Sequence, residues 1–414
     1  MRDTSRANNA SVADIPNSHR DILVYLRWPL LPLQIVGILP FYTTQGLYEI
    51  GLPNRHTIYI TRAALLIKIC FNILHTFYLL SPSMLDLLFL KSNTDGITNI
   101  LDIALCILSD ATLTWTCAGN TDKIINILNS FLKVDKLLKQ VPAPTLERSL
   151  ATNQFNRYLI WILGFNCIAT FSYVKQSLDN FSFYFFVHTV VYLLQYAILF
   201  IFVVFISALL YLLAERFRFV NMLITQYNRN TVPNRVFSKN SLTQDEENCL
   251  CFAENSALIY SLHYDLLDVY KMINDYAGLG LLVFVLCTCC DLLICIYYLA
   301  FNICNLNDKL HYVLRVLLWL PYTVGALVVL ATNCAKVTRE ANNTSQILAR
   351  VYGKGKEYQN IVDKFLSKSI RQNVHFTAYG FLVIDNTTLF KISSALLTYL
   401  VILIQFKQLE KSKD

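Results

Sequence analysis

Glycine and proline are scarce in this chain of 414 residues, at 12 and 10, and charged side chains make up only 15%. The first shortage excludes collagen-like and low-complexity organisation and leaves long, uninterrupted helices as the natural element. The second excludes a disordered chain and fits a soluble domain poorly, since roughly a quarter of an average domain is charged. The first 27 residues contain no apolar stretch, so no cleavable signal peptide is expected. In compensation, 55% of the residues are apolar and the mean hydropathy is +0.43. A helical, polytopic membrane protein is the class that remains.

Chemistry of the reactive kinds is thinly represented. Most of the 12 cysteines lie inside apolar runs, where cysteine behaves as a small hydrophobe. Cys249-Leu-Cys251 and Cys287-Thr-Cys289-Cys290 lack a second pair and a histidine at zinc-site spacing, so no metal site is expected. An intramembrane enzyme needs facing catalytic groups. Asp110 and Asp291 fall at opposite membrane depths and the seven histidines stand singly, so no enzymatic activity and no bound cofactor are expected.

Seven stretches are long and apolar enough to span a bilayer: 57–80, 97–118, 158–175, 182–213, 276–301, 312–335 and 388–407. Residues 29–42 are apolar but too short, and Pro29, Pro32 and Pro40 interrupt them, which predicts an interfacial or re-entrant approach segment. Outside the spans, the first 56 residues carry five Lys and Arg. The connections then carry one, six, one, six, one and eight, and the tail three. One side therefore holds 25 and the other 6. By the positive-inside rule the N-terminus is cytoplasmic and the C-terminus extracellular. The expected fold is all-α, with seven transmembrane helices, and the net charge of +7 reports topology, not a nucleic-acid partner. A G-protein-coupled receptor has the opposite orientation, and neither Asn-Pro-x-x-Tyr nor Asp-Arg-Tyr in the third connection is present. A transporter built from repeats should show matching halves, and none are found.

This divides the chain into a cytoplasmic segment 1–56, a six-helix bundle 57–335, a cytoplasmic linker 336–387, a last span 388–407 and an extracellular tail 408–414. Within the bundle, 121–140 places Ile124, Ile125, Leu128, Phe131, Leu132 and Val134 near one face, which predicts an amphipathic cytoplasmic helix. Residues 357–372 repeat the pattern with Ile361, Phe365 and Ile370. Packing on the membrane surface and a cytoplasmic bundle joining subunits are both compatible with these faces. The polar run 226–250 is expected to be a flexible loop. Asn180 heads a sequon on a short outer loop; the Asn342, Asn343 and Asn386 sequons fall on the cytoplasmic side or its edge and are expected to be unmodified.

The last span ends in Thr398-Tyr399, five apolar residues, then Gln405-Phe406, preceded by Phe376-Thr377-Ala378-x-Gly380-Phe381, Ile384-Asp385 and Leu389. This resembles the signature of insect gustatory receptors, and the form TYLVILIQF looks nearest to their fructose-receptor-like branch. The resemblance is strong over 355–407 and architectural elsewhere. It implies a tetrameric, ligand-gated, non-selective cation channel in the plasma membrane of a sensory-neuron dendrite, homomeric or built with related receptors. Its partners would be a small-molecule tastant, lipid and permeant cations, with no G protein required. The last helices would line the pore and the cytoplasmic helices would anchor the tetramer. A bitter or other-chemical co-receptor subunit, or an odorant receptor subunit, is the alternative. Helical periodicity puts Ser394, Leu397, Thr398, Val401 and Gln405 on one stripe. Apolar rings gate by dewetting and an amide can stand in for water around a cation, so Val401 and Gln405 are the expected gate.

A ligand pocket is expected in the outer half of the bundle, where Phe185, His188, Thr189, Tyr192, Gln195, Tyr196, Asp291, Tyr298, Arg315, Trp319 and Tyr322 offer aromatic rings with a few polar groups. Tyr297, Tyr298 and Tyr312 also suit an interfacial aromatic belt, and His188 suits either the pocket or bundle packing. Asp291 lies about 15 Å below the outer end of its span. It either pairs with Arg315 to meet a polyol, or stays neutral or partnered elsewhere while Arg315 snorkels to the headgroups. Asp110, a second buried carboxylate nearer the cytoplasmic side, reads as structural.

Overall fold

The computed structural model of the chain describes residues 26, 30–35, 39, 42–43, 50–51, 55–79, 93–138, 160, 164, 167–168, 171, 183–230, 242–302, 306–349 and 374–412. Among the described residues the long helices are α1 (Arg55–Leu79), α2 (Asn93–Gly119), α3 (Thr121–Leu138), α4 (Phe183–Asn230), α5 (Leu242–Asn302), α6 (Leu306–Ala349) and α7 (Asn386–Lys411). Two antiparallel hairpins accompany them, β1 (Tyr42–Thr43) with β2 (Ile50–Gly51) and β3 (Thr377–Ala378) with β4 (Leu382–Val383). Among the described residues, Val190–Thr225, Ser261–Ala300, Trp319–Thr344 and Asn386–Phe406 are long and apolar enough to cross a membrane, and Ile103–Gly119 is a shorter apolar helical stretch. The expected span 158–175 lies outside the described residues apart from Ile160, Gly164, Cys167, Ile168 and Phe171, which are helical.

Helix length explains the two-part shape of the bundle. With 48, 61 and 44 residues, α4, α5 and α6 extend about 65–90 Å, far beyond the ~30 Å hydrocarbon core of a bilayer. Each therefore continues into the basic side of the protein. At the centre stands α4, whose apolar run is buried almost all round, from Val191 through Ile206 to Leu213. A helix apolar on every face is one that other helices enclose. The loop expected over 226–250 is correspondingly shorter: α4 runs to Asn230 and α5 begins at Leu242. Gln244–Asn248 is polar yet contains good helix formers, with acidic residues near the favourable positive end of the helix.

The basic-side half is held by side chains from three helices, α3, α4 and α6. α3 buries Ile124, Ile125, Ile127, Leu128, Phe131 and Val134, with Leu132 partly covered. Its Asp135 accepts two 2.9 Å bonds from Arg216 Nε and Nη2 of α4, and that guanidinium lies 5.3 Å from the Phe131 ring. Lys336 of α6 reaches Glu215 at 2.6 Å, and Asn221 of α4 accepts from Thr344 at 2.6 Å while donating to the Glu340 carbonyl. The described residues of the approach segment pack on the bundle through one face. Residues 30–35 are helical, Leu39 N donates back to Leu33 O, and Leu26, Leu30, Leu33 and Leu39 join the main core. The amphipathic helix expected over 357–372 lies outside the described residues.

Just before α7 the motif around Gly380 becomes a hairpin. Phe381 N donates to Ala378 O at 3.0 Å, and Tyr379 (φ 52°) and Gly380 (φ 78°) both adopt the left-handed region, as a type I′ turn requires. Phe376 is fully buried with its ring edge-on to Tyr270 of α5. Asn274 clamps the strand by accepting from Thr377 N at 2.8 Å. Gly278 lets the turn approach closely, since a Cβ there would sit 3.0 Å from the backbone nitrogen of Tyr379 and push the hairpin back by a few tenths of an ångström. Asn342 exchanges two 3.2 Å bonds with the backbone of Val374, so the side chain of that sequon is engaged in the fold.

The hairpin hands over to α7 through an N-cap. Asp385 accepts from Thr388 N at 2.8 Å and from the Thr387 and Thr388 hydroxyls. Burial alone would raise the Asp385 carboxyl, but these hydrogen bonds outweigh it and hold the group below its ordinary value. Because the folded value is depressed, the cap is fully present above the ordinary carboxylate range and is lost as pH falls through the folded value. Asp385→Ala is expected to cost about 1 kcal/mol at neutral pH. In melting curves of purified protein, the gap to wild type should close on acidification, and Asp385→Asn should keep the neutral-pH stability without that closure.

Candidate functional site

Tyr192, Tyr196, Asp291, Trp319 and Tyr322, drawn from three helices, come together in one aromatic cluster. Tyr196 of α4 is 2% exposed and donates its hydroxyl to Asp291 Oδ1 of α5 at 2.7 Å. Its ring lies 4.7 Å from that of Tyr192, one turn earlier on the same helix, and edge-on to Trp319 of α6 at 5.4 Å. Trp319 in turn meets Tyr322 at 5.4 Å, and Tyr322 meets Phe200 at 4.0 Å. Spacing explains the assembly. Positions 192, 196 and 200 recur every four residues along α4, and 319 and 322 every three along α6, so both helices turn an aromatic stripe toward Asp291. Pro321 lies inside α6 between the two rings, where its missing N–H removes one helical hydrogen bond.

Several other expected pocket residues are placed differently. Gln195 is one residue from Tyr196, which rotates it about 100° around α4 and points it away from the cluster. Its Nε2 donates to Asn72 Oδ1 of α1 at 3.0 Å, and its Oε1 accepts from Cys106 Sγ of α2 at 2.9 Å. Tyr297 is 1% exposed and faces the bundle, which corrects its expected place in an interfacial belt. The side chains of Phe185, His188, Thr189, Arg315 and Tyr312 lie outside the described residues. The expected Asp291–Arg315 pair therefore falls outside them as well, and the described partner of Asp291 is the Tyr196 phenol.

Asp110, by contrast, acquires a partner that sequence reasoning passed over. Lys68 of α1 lies 2.7 Å from Asp110 Oδ1 and donates at 2.7 Å to Thr114 Oγ1. Asn72, one turn on, donates to Asp110 Oδ2 and accepts from Gln195, so α1, α2 and α4 share one polar network within the predicted membrane zone. A single lysine inside an apolar span was the available signal, since such a charge requires a counter-charge at its own depth.

On α7 the expected gate stripe is helical and bare. Leu397, Thr398, Val401 and Gln405 are exposed, as are Tyr399 and Phe406, with Leu397 at 64% and Val401 at 54%. Among the described residues, the start of the helix, around Thr388, Leu389 and Ile392, packs on the main core. An apolar helix of 26 residues that its own chain leaves uncovered is made for lipid, for other subunits or for both.

These features meet a consistent set of relatives. Residues 29–410 match the 7tm Chemosensory receptor family. The gustatory and pheromone receptor 32a of Drosophila melanogaster is 33% identical over 407 residues, covering 96% of this chain and 88% of its own. The gustatory receptor for sugar taste 43a of the same fly is 27% identical over 191 residues, 45% of this chain and 41% of its own. Among solved structures, the insect olfactory receptor OR5 from Machilis hrabei, in complex with eugenol, shares the fold. Its TM-score is 0.66 at 12% identity, over 94% of this chain and 100% of that one. The chain is therefore a seven-transmembrane-helix chemosensory receptor, a member of the insect gustatory receptor family.

Proposed function

We propose that this receptor is itself a channel: a subunit of a tetrameric, ligand-gated, non-selective cation channel in the plasma membrane of chemosensory neurons. The observation that carries the reading is α7. It holds Thr398-Tyr399 and Gln405-Phe406, it is apolar, and its own chain leaves it exposed over the stripe from Leu397 to Gln405. Four such helices around an axis would bury one another and face Val401 and Gln405 into a narrow path. Ligand binding at the Tyr196–Asp291–Trp319 cluster would act on this gate through α5 and α6, both of which touch α7. The relative named for taste and pheromone detection aligns over nearly the whole chain, whereas the one named for sugar taste aligns over less than half. That difference favours a non-sugar ligand over the fructose-like reading.

The test is electrical. Expressed alone or with a related receptor, the chain should give ligand-evoked cation current in excised patches with G-protein signalling blocked. Val401→Cys and Gln405→Cys channels should lose that current on exposure to pore-directed thiol reagents while open. Current that vanishes with G-protein blockade sinks the channel reading, and insensitivity of both cysteine variants sinks the gate assignment.

A further inference from the structure

Between α1 and α2 lies a cavity of about 680 Å³, separate from the aromatic cluster that faces α5 and α6. Its walls are apolar, with Ile69, Ile73 and Phe77 on α1 and Ile107, Ala111 and Trp115 on α2. One side is polar: Asn72, Asp110, Thr114 and Gln195 line it, and Asp110 and Gln195 are each 4% exposed. Both walls belong to spans expected in the bilayer, and Asp110 lies about 12 Å from the inner end of its span. At the mouth, Ile73, Phe77 and Trp115 are 50%, 71% and 72% exposed, so the opening faces sideways at membrane depth and not along the bundle axis.

From this geometry we infer a second ligand site on the receptor, one that takes a neutral amphiphile with a hydroxyl head and an apolar body from the bilayer. Charge is the first reason. Asp110 lines the polar wall and Lys68, which is not part of the lining, neutralises it in an ion pair of 2.7 Å, so the wall carries no net charge and neither an anion nor a cation finds a complementary field. Hydrogen-bond capacity is the second. Asp110 retains acceptor capacity beyond its bonds to Lys68 and Asn72, and Thr114 accepts from Lys68 while its own hydroxyl proton stays available. A hydroxyl group, donor and acceptor at once, satisfies both; an alkane satisfies neither. Size is the third, since about 680 Å³ falls within the range of small-molecule pockets. Gln195 closes the cavity and Tyr196, its neighbour on α4, holds Asp291, so one turn of α4 borders both sites.

Photolabelling of the full-length receptor in proteoliposomes tests this, with two probes: a diazirine-bearing hexadecanol and a diazirine-bearing cholesterol. At least one should label peptides of 55–79 or 93–119, and which one does so identifies a simple alcohol or a sterol as the occupant. Excess unlabelled alcohol of the same class should reduce that labelling at least fivefold, while the matching hydrocarbon, hexadecane or cholestane, leaves it unchanged. Ala111→Trp, which fills the cavity from an exposed position on α2, should reduce it similarly in protein that remains monodisperse on size exclusion; Ile73→Trp is the second such variant. The inference is overturned if labelling of α1 and α2 is no greater than along the exposed face of α7. It is equally overturned if the hydrocarbon competes as well as the alcohol, or if labelling persists in the filled variants. Wild-type competition alone decides the matter should both variants aggregate.

Discussion

Lys68→Met is expected to destabilise the purified receptor by about 3–5 kcal/mol, because it leaves Asp110 buried beside α1 without its counter-charge. The loss should exceed that from an exposed pair such as Lys133–Asp265, 3.3 Å apart with Lys133 largely in solvent, whose removal costs at most about 1 kcal/mol. Two companions separate the pair from the bulk of the lysine chain. Lys68→Met with Asp110→Leu removes both charges and should recover most of the stability, since apolar replacement of a buried pair is often neutral or favourable. Asp110→Asn alone leaves the ammonium unpaired and should resemble Lys68→Met. Melting midpoints in detergent, read by loss of the monodisperse peak, provide the measurement. A Lys68→Met protein as stable as wild type would show that the pair holds nothing together. A double variant no better than the single would place the cost in lost packing instead.

How far the sequence revealed this arrangement depends on the kind of signal. Elements announced themselves through period and composition: the apolar run inside α4, the stripe of α3, and the 26-residue α7 with its motif. Pairings between helices did not, because interhelical register leaves no trace in a single sequence. Asp110 stood out as a charge in an apolar run, but whether Lys68 or something else met it depends on how far α1 and α2 slide past one another. The aromatic stripes on α4 and α6 are legible, and so is their meeting near Asp291 as a cluster of rings. Gln195 shares their depth, but depth does not separate neighbours that a helix turns about 100° apart. Gly380 was readable as part of a motif, while its reason, a left-handed turn pressed against Gly278, is visible only once the hairpin is seated on α5. The 226–250 segment misled for the opposite reason. Polarity suits a loose loop, yet a helix end projecting from a membrane into water needs polar residues too.

The second large effect concerns the contact between Tyr196 and Asp291, which lies at the centre of the aromatic cluster. Hydrogen bonds to charged groups contribute about 1.5–3 kcal/mol, and each 1.4 kcal/mol is about tenfold in affinity. If the ligand meets this pair, Asp291→Asn and Tyr196→Phe should each raise the half-maximal agonist concentration about 10- to 100-fold, with surface expression retained. The two groups touch, at 2.7 Å, so their effects should not add. Asp291→Asn with Tyr196→Phe should shift the curve little further than the more damaging single change. Dose–response curves for whichever compound opens the wild-type channel, taken alongside surface labelling, provide both comparisons. Wild-type potency in either single variant would separate the cluster from ligand recognition and leave the hydrogen bond as a device that locks α4 to α5. Strictly additive shifts would mean instead that the two side chains meet the ligand independently, with the hydroxyl turned away from Asp291 when the site is filled.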